Sequence, residues 1–433
     1  MAAEPARSTP AAPQPGRRRF LGAGLAGLAA CGLAGAKLWP EDGWTNPCLA
    51  ALPPALAQHD LLQAAWSGLD PSRVWDMHCH IAGNGDRGSG IAVHADMYSH
   101  AHPFQLAQRL FYMDAACAAG GSSIDAAYVE RLEALIEAFP PGARAVLLAF
   151  DAFHDADGRA RREQSTFIVP NDYVHRLAAA RPQRFAWAAS IHPYRADCVE
   201  AVASAAARGA VLIKWLPAAQ GMDPASPACD RFYEAAARHD LPLFVHCGAE
   251  RAVQGGDTQN FGNPLRLRRA LEHGMRVIVA HCASLGSDRD TERGGAEVAS
   301  FDLFARLMQD ARYEGKLFGD ISAVTQFNRC AEVLPQLLQR REWHGRLLNG
   351  SDYPLPGVMP LVSLRQLESL GMLPAAALPV LSQLRAHNAL LFDFVLKRTL
   401  ALDGQRFSAA AFETARLLAP RRHAHLSAPT PTT

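Results

Sequence analysis

The 433-residue sequence carries almost no excess charge of either sign, with 43 lysines and arginines against 42 aspartates and glutamates. Its basic residues are scattered except near the start, so nothing in the charge balance points to nucleic acid or another polyanion as a partner. Cysteine is present but unorganised. Nine cysteines, an odd number without a C-x-x-C pair or a small-scaffold spacing, argue against a disulfide framework and predict mostly buried thiols. A nucleotide-binding glycine loop is missing too. The one match to the dinucleotide fingerprint, Gly22-x-Gly24-x-x-Gly27, has no strand before it and lies inside an N-terminal leader. A long, strongly hydrophobic run is also lacking. Phe20 to Trp39 is about long enough to cross a bilayer, but glycine and alanine dominate it and leave it only weakly hydrophobic.

What is present begins with that leader. Residues 2–16 are rich in Ala and Pro, and Arg17-Arg18-Arg19-Phe20-Leu21 then feeds the Gly/Ala/Leu run. A basic segment followed by an apolar one is the layout of an export signal. Arg-Arg-x-Phe-Leu resembles the twin-arginine motif, and Leu28-Ala29-Ala30-Cys31 resembles a bacterial lipobox. Residues 1–40 are therefore expected to direct export or to anchor the chain to the membrane through a lipid or the apolar run. That places the protein on the extracytoplasmic side of a bacterium, with a cytoplasmic location as the alternative. Residues 41–72 read as a lead-in with short helices and no assigned chemistry. At the other end a C-terminal helix and tail, 401–433, finish in a Pro/Thr/Ala-rich stretch expected to be disordered.

Between these ends the chain is about half apolar, enough to bury one large core or two ordinary ones. Val74-Trp75-Asp76-Met77-His78-Cys79-His80 is an apolar run ending in His-x-His. On a strand, His78 and His80 would leave the same face about 6–7 Å apart along the chain, where one metal ion could bind both. Five more apolar runs end in residues able to bind or activate a metal: Ile191-His192, Ile213-Lys214, Val245-His246, Ala280-His281 and Gly350-Ser351-Asp352. An insertion over residues 81–143 opens with the glycine-rich stretch Gly83 to Gly90, suited to a ligand-closing or a mobile loop. Within it Tyr128, Leu132, Leu135, Ile136 and Phe139 recur at helical spacing behind a Ser123 cap.

After the insertion, strand and helix alternate. Ala145–Phe150, Phe185–His192, Ala210–Leu216, Pro242–Cys247, Arg276–Cys282, Leu317–Val324 and Arg346–Asp352 read as strands buried on both faces. Asp197 is expected to cap a helix stopped by Gly209, and Asn263-Pro264 to start another that Gly274 closes. Eight βα units predict an α/β fold, a (β/α)8 TIM barrel over residues 73–400, with an open doubly wound sheet as the alternative. The ligand-type residues fall at the C-terminal ends of strands, where such barrels place their active sites.

These residues resemble the metal-dependent amidohydrolase superfamily, in particular its amidohydrolase 2 branch, over residues 73–395. The likeness extends to His387-Asn388-Ala389-Leu390. The resemblance implies His78 and His80 on the first strand, Lys214 on the fourth, His246 and His281 on the fifth and sixth, and Asp352 on the eighth as metal site. Many members of the branch lack a ligand at the position of Lys214 and use one metal, so the resemblance leaves one ion or two.

The chemistry expected of such a set follows from its donors. Imidazoles and carboxylates suit Zn2+. A lysine, with an ordinary pKa of about 10.4, could join only after modification; the family precedent is a carbamylated Lys214 bridging two ions, and the alternative an ordinary lysine paired with substrate or Asp352. A metal-bound water titrates near neutrality and would attack a polarised carbonyl of an amide, lactone or ester. Asp352 would move the proton, and His281 would complete a second metal site or steady the oxyanion. His192, Trp215, Arg195, Glu250 and Arg251 are candidates for the pocket of a small-molecule substrate. Cys79, Cys247 and Cys282 follow ligand histidines and should face the helices. Metal-dependent nonoxidative decarboxylation or hydration of a carboxylated substrate is the alternative reaction, and a binding barrel without catalysis a third reading.

Overall fold

The computed structural model describes residues 40–418 except 121, 252, 254 and 255; the expected leader and the tail beyond 418 lie outside them. Eight short parallel strands carry the architecture: β1 (Trp75–His80), β2 (Arg144–Leu148), β3 (Phe185–Ala188), β4 (Ile213–Trp215), β5 (Leu243–His246), β6 (Val277–Ala280), β7 (Leu317–Asp320) and β8 (Leu347–Leu348). Regular ladders join β1 to β2 to β3, and β4 through to β8. A parallel bridge between Ala189 and Ile213 joins the first set to the second, and one between Cys79 and Tyr353 closes the ring. The expected barrel is therefore the observed fold. An apolar run buried on both faces has no other place in a sheet, because one face meets the barrel interior and the other the helices.

That division is visible in two clusters. Met77, Val146, Leu212, Phe244, Ile278 and Phe318 pack inside the barrel. Their neighbours Cys79, Leu147, Ile213, Val245 and Val279 pack outward against the helix layer, and Cys247 and Cys282 lie with them. A bulge between Asp76 and Cys79 breaks the simple alternation of β1, so that Met77 packs inside while Cys79 still faces outward.

Most strands are shorter than their apolar runs. Beyond β6 the chain turns sharply, with His281, Cys282 and Ala283 at φ of 54°, 51° and 51°, and Asp352 after β8 sits at φ 60°. Side chains that belong at the mouth leave the ladder to reach it. The segment after residue 400 packs against the barrel. Ala415, Leu417 and Leu418 join the interior cluster, Thr414 Oγ1 donates to Trp75 O at 2.5 Å, and Arg276 Nη1 donates to Leu417 O at 3.1 Å. These residues stopper the base of the barrel, and each buried leucine contributes about 1.5–3 kcal/mol.

The insertion holds the expected helix, Ile124–Glu137, capped by Ser123. Its glycine-rich entrance is pinned to that helix. The buried Asp125 carboxylate accepts from Asn84 N at 2.8 Å, Gly85 N at 3.1 Å and Ser89 Oγ at 2.6 Å, and a side chain at Gly83 would collide with it. Asp197 occupies its expected N-cap position but does not cap, because its carboxylate takes Arg195 at 2.9 and 2.7 Å. The expectation of mostly buried thiols holds with one exception: Cys48 and Cys117, 69 residues apart, form a disulfide. Six others are buried thiols. Among the described residues no helix is long and apolar enough to cross a membrane.

Candidate metal centre

The C-terminal ends of β1 and β8 meet at the barrel mouth. Gly350 makes the approach possible, since a Cβ there would come within 2.5 Å of His78 Cβ and 2.8 Å of Asp320 Oδ1. His78 Nε2 and His80 Nε2 lie 3.1 Å apart, and Asp352 Oδ1 is 3.2 Å from each. Donors bound to one ion at about 2.0–2.2 Å stand roughly 3.0–3.5 Å from one another, so this triangle fits a divalent metal. His78, His80 and Asp352 form a ligand cluster by position alone.

A proton inventory fixes how His78 and His281 face the site. Asp320, at the end of β7, has Oδ2 2.9 Å from His78 Nδ1, and the same oxygen accepts the Ser322 hydroxyl proton. Ser322 Oγ lies 2.8 Å from His281 Nδ1. With its own proton committed to Asp320, the hydroxyl can only accept from His281. Both imidazoles therefore carry their proton on Nδ1 and turn an Nε2 lone pair to the mouth, where His281 Nε2 is 3.6 Å from Asp352 Oδ2. This is the carboxylate–histidine arrangement that orients metal ligands. Burial keeps both rings neutral by pushing their pKa values well below the ordinary one. Burial opposes ionisation of Asp352, yet a hydrogen bond from His80 helps to hold its carboxyl well below the usual carboxylate range.

Lys214 and His246 stand alongside. Lys214 Nζ is 3.4 Å from His78 Nε2 and 3.7 Å from the centre of the Phe244 ring. Burial lowers its amine to about 8, with Asp352, Asp320 and Glu250 opposing. Among the described residues His246 Nε2 has no hydrogen-bond partner, and it faces Glu250 Oε2 across 3.3 Å. Of the five pocket candidates, Glu250 and Arg251 line the cavity over this centre, and three do not. Trp215 follows the inward-facing Lys214 on β4 and therefore points outward, among Phe232 and Tyr233, with Nε1 donating to Ile191 O at 2.8 Å. His192 is fully buried, stacked on His154 at 4.4 Å, with Nε2 bonded to Gln220 O at 3.0 Å. Arg195 pairs with Asp197 and with Asp151.

Sequence reasoning missed Asp320, Ser322 and Arg329. Arg329 lines the same cavity and donates to Gln326 Oε1 at 3.2 Å and Ser284 Oγ at 3.0 Å. Burial lowers its guanidinium to about 10, with Asp352 and Glu250 opposing. The first two were within reach of the strand-end rule that found Asp352; Arg329 sits in an irregular loop that carries no periodic signal.

The amidohydrolase family model, Amidohydro_2, matches residues 75–360. No curated protein matches the chain. Among solved structures, an uncharacterized TIM-barrel protein from Bordetella bronchiseptica is 15% identical, with 72% of this chain and 98% of that one covered and a TM-score of 0.44. A probable 2-pyrone-4,6-dicarboxylic acid hydrolase from Acinetobacter baumannii is 11% identical over 74% of this chain and 97% of that one, at a TM-score of 0.41. A 5-carboxyvanillate decarboxylase from Sphingomonas paucimobilis is 12% identical over 80% and 98%, at a TM-score of 0.38.

Proposed function

The chain belongs to the amidohydrolase family, and from that premise we propose that it is a metal-dependent hydrolase of a carbonyl bond of amide, lactone or ester type. The observation that carries this reading is the triangle of His78 Nε2, His80 Nε2 and Asp352 Oδ1 with edges of 3.1 to 3.2 Å. A divalent ion held there, for which Zn2+ suits the nitrogen and oxygen donors, would polarise a carbonyl and acidify water.

The protein's own groups supply the rest. Asp320 and Ser322 keep the Nε2 lone pairs of His78 and His281 turned to the mouth. Asp352, ionised at neutral pH, is the acceptor for the proton of the attacking water and hands it to the leaving group. A neutral His281 with its lone pair on Nε2 cannot donate to an oxyanion, so of its two expected roles we favour metal ligand. Lys214, its amine eased toward neutrality by burial, is suited to the carbamate that would recruit a second ion, with His246 and His281 as that ion's ligands. A screen of amides, lactones and esters with the metal-loaded protein, read by mass spectrometry of the products, tests the reading.

Arg329 favours a second reading. Its guanidinium, bonded among the described residues to an amide oxygen and a hydroxyl and to no carboxylate, could receive the carboxylate of a substrate undergoing decarboxylation or hydration. Carbon dioxide released from carboxylated aromatics, with the hydrolysis library untouched, would decide for it.

Export through residues 1–40, with a lipid or membrane anchor there, is also proposed. The Cys48–Cys117 disulfide supports it, since such bonds persist in oxidising compartments. A reporter fused behind residue 40 that stayed in the cytoplasm would contradict it.

A further inference from the structure

A cavity of about 890 Å3 opens over the metal centre, toward the upper end of the range for small-molecule sites. Its floor is polar, with the metal-site side chains, Lys214, Glu250 and Arg329, but most of its wall is apolar. Part of that wall comes from the segment just after the leader: Pro40, Glu41 and Trp44 line the cavity. This segment is tied at many points. Glu41 Oε1 accepts from Ser363 Oγ at 2.7 Å, Asp42 Oδ1 from Ser382 Oγ at 2.5 Å, and Asn46 N donates to Asp114 Oδ2 at 2.7 Å. Cys48 is bonded to Cys117 at the end of helix Pro103–Ala115, whose Phe104 and Phe111 also line the cavity.

The strap is not anchored for the sake of the barrel core. Trp44 packs in a small cluster with Phe111, Val358 and Leu361 that is separate from both barrel clusters. At the rim, Phe104 and Phe327, which also line the cavity, are 47% and 44% exposed and extend its apolar wall outward.

We infer that residues 40–48 form a specificity strap and that the substrate carries a bulky apolar body, an extended acyl or aryl group, which packs against Trp44 and Phe111 while its reactive group lies at the metal centre. The inference rests on the proposed location of the active site, but not on which bond is broken. Straight-chain monocarboxylates from butanoate to decanoate, titrated calorimetrically into the full zinc-loaded chain, test it without turnover. Affinity should rise about threefold per added methylene over at least part of the series. Trp44→Ala should weaken decanoate tenfold or more while changing butanoate less than twofold, and Cys48→Ser with Cys117→Ser should act in the same direction. Affinity independent of chain length, or an undiminished length dependence in Trp44→Ala, would overturn it. Inactivity toward the amide, lactone and ester library would count against the hydrolase reading alone.

Discussion

Nδ1 of His78 lies 2.9 Å from Oδ2 of Asp320, and through Ser322 the same carboxylate governs His281. One buried acid thus sets the proton positions of two site histidines. Asp320→Ala should leave the fold standing but weaken metal binding about 10- to 100-fold, the usual cost of losing such an orienting partner. Competition against a chromophoric chelator measures this, and an unchanged affinity would show that the pair does not orient the ligand.

Asp352→Asn removes the proton acceptor while keeping the side chain's shape. With substrate in hand, turnover should fall about 10²- to 10⁴-fold, with a circular-dichroism melt close to that of the wild type. Near-normal activity would exclude Asp352 from proton transfer.

His192 has a different consequence. Its Nε2–H donates to Gln220 O and its Nδ1 accepts from Tyr194 N at 3.2 Å, so protonation would set one N–H against another. Burial, with His154 adding to it, lowers its pKa to about 3, against about 6.5 unfolded. Between these values the unfolded chain binds the extra proton, so this stability is complete above about pH 6.5 and is lost as pH falls toward 3. Chemical denaturation from pH 6 to 4 should show wild type losing roughly 1 kcal/mol per unit more than His192→Gln. Parallel slopes would contradict the assignment.

The barrel was legible because strands buried on both faces are apolar almost throughout: the runs before Lys214, His246 and His281 are, and Asp76 alone interrupts the one before His78. Their ends were read too long where the backbone turns through positive φ, a feature that apolar composition does not report. Trp215 was misplaced although alternation argued against it: with Lys214 inward, its neighbour faces the helices. His192 was misread because a histidine satisfied in the core looks, in sequence, like one at a mouth. Cys48 and Cys117 share no spacing pattern, and only the path of the strap over the insertion brings them together. Gly350 shows its meaning only when a Cβ is set against His78.

The central claim is that His78, His80 and Asp352 hold a catalytic metal. Elemental analysis of the full chain, isolated without chelators, tests it most directly. We predict about one to two equivalents of a transition metal, zinc foremost, falling several-fold in His80→Ala. Less than about a tenth of an equivalent of any transition metal in the wild type would contradict the account.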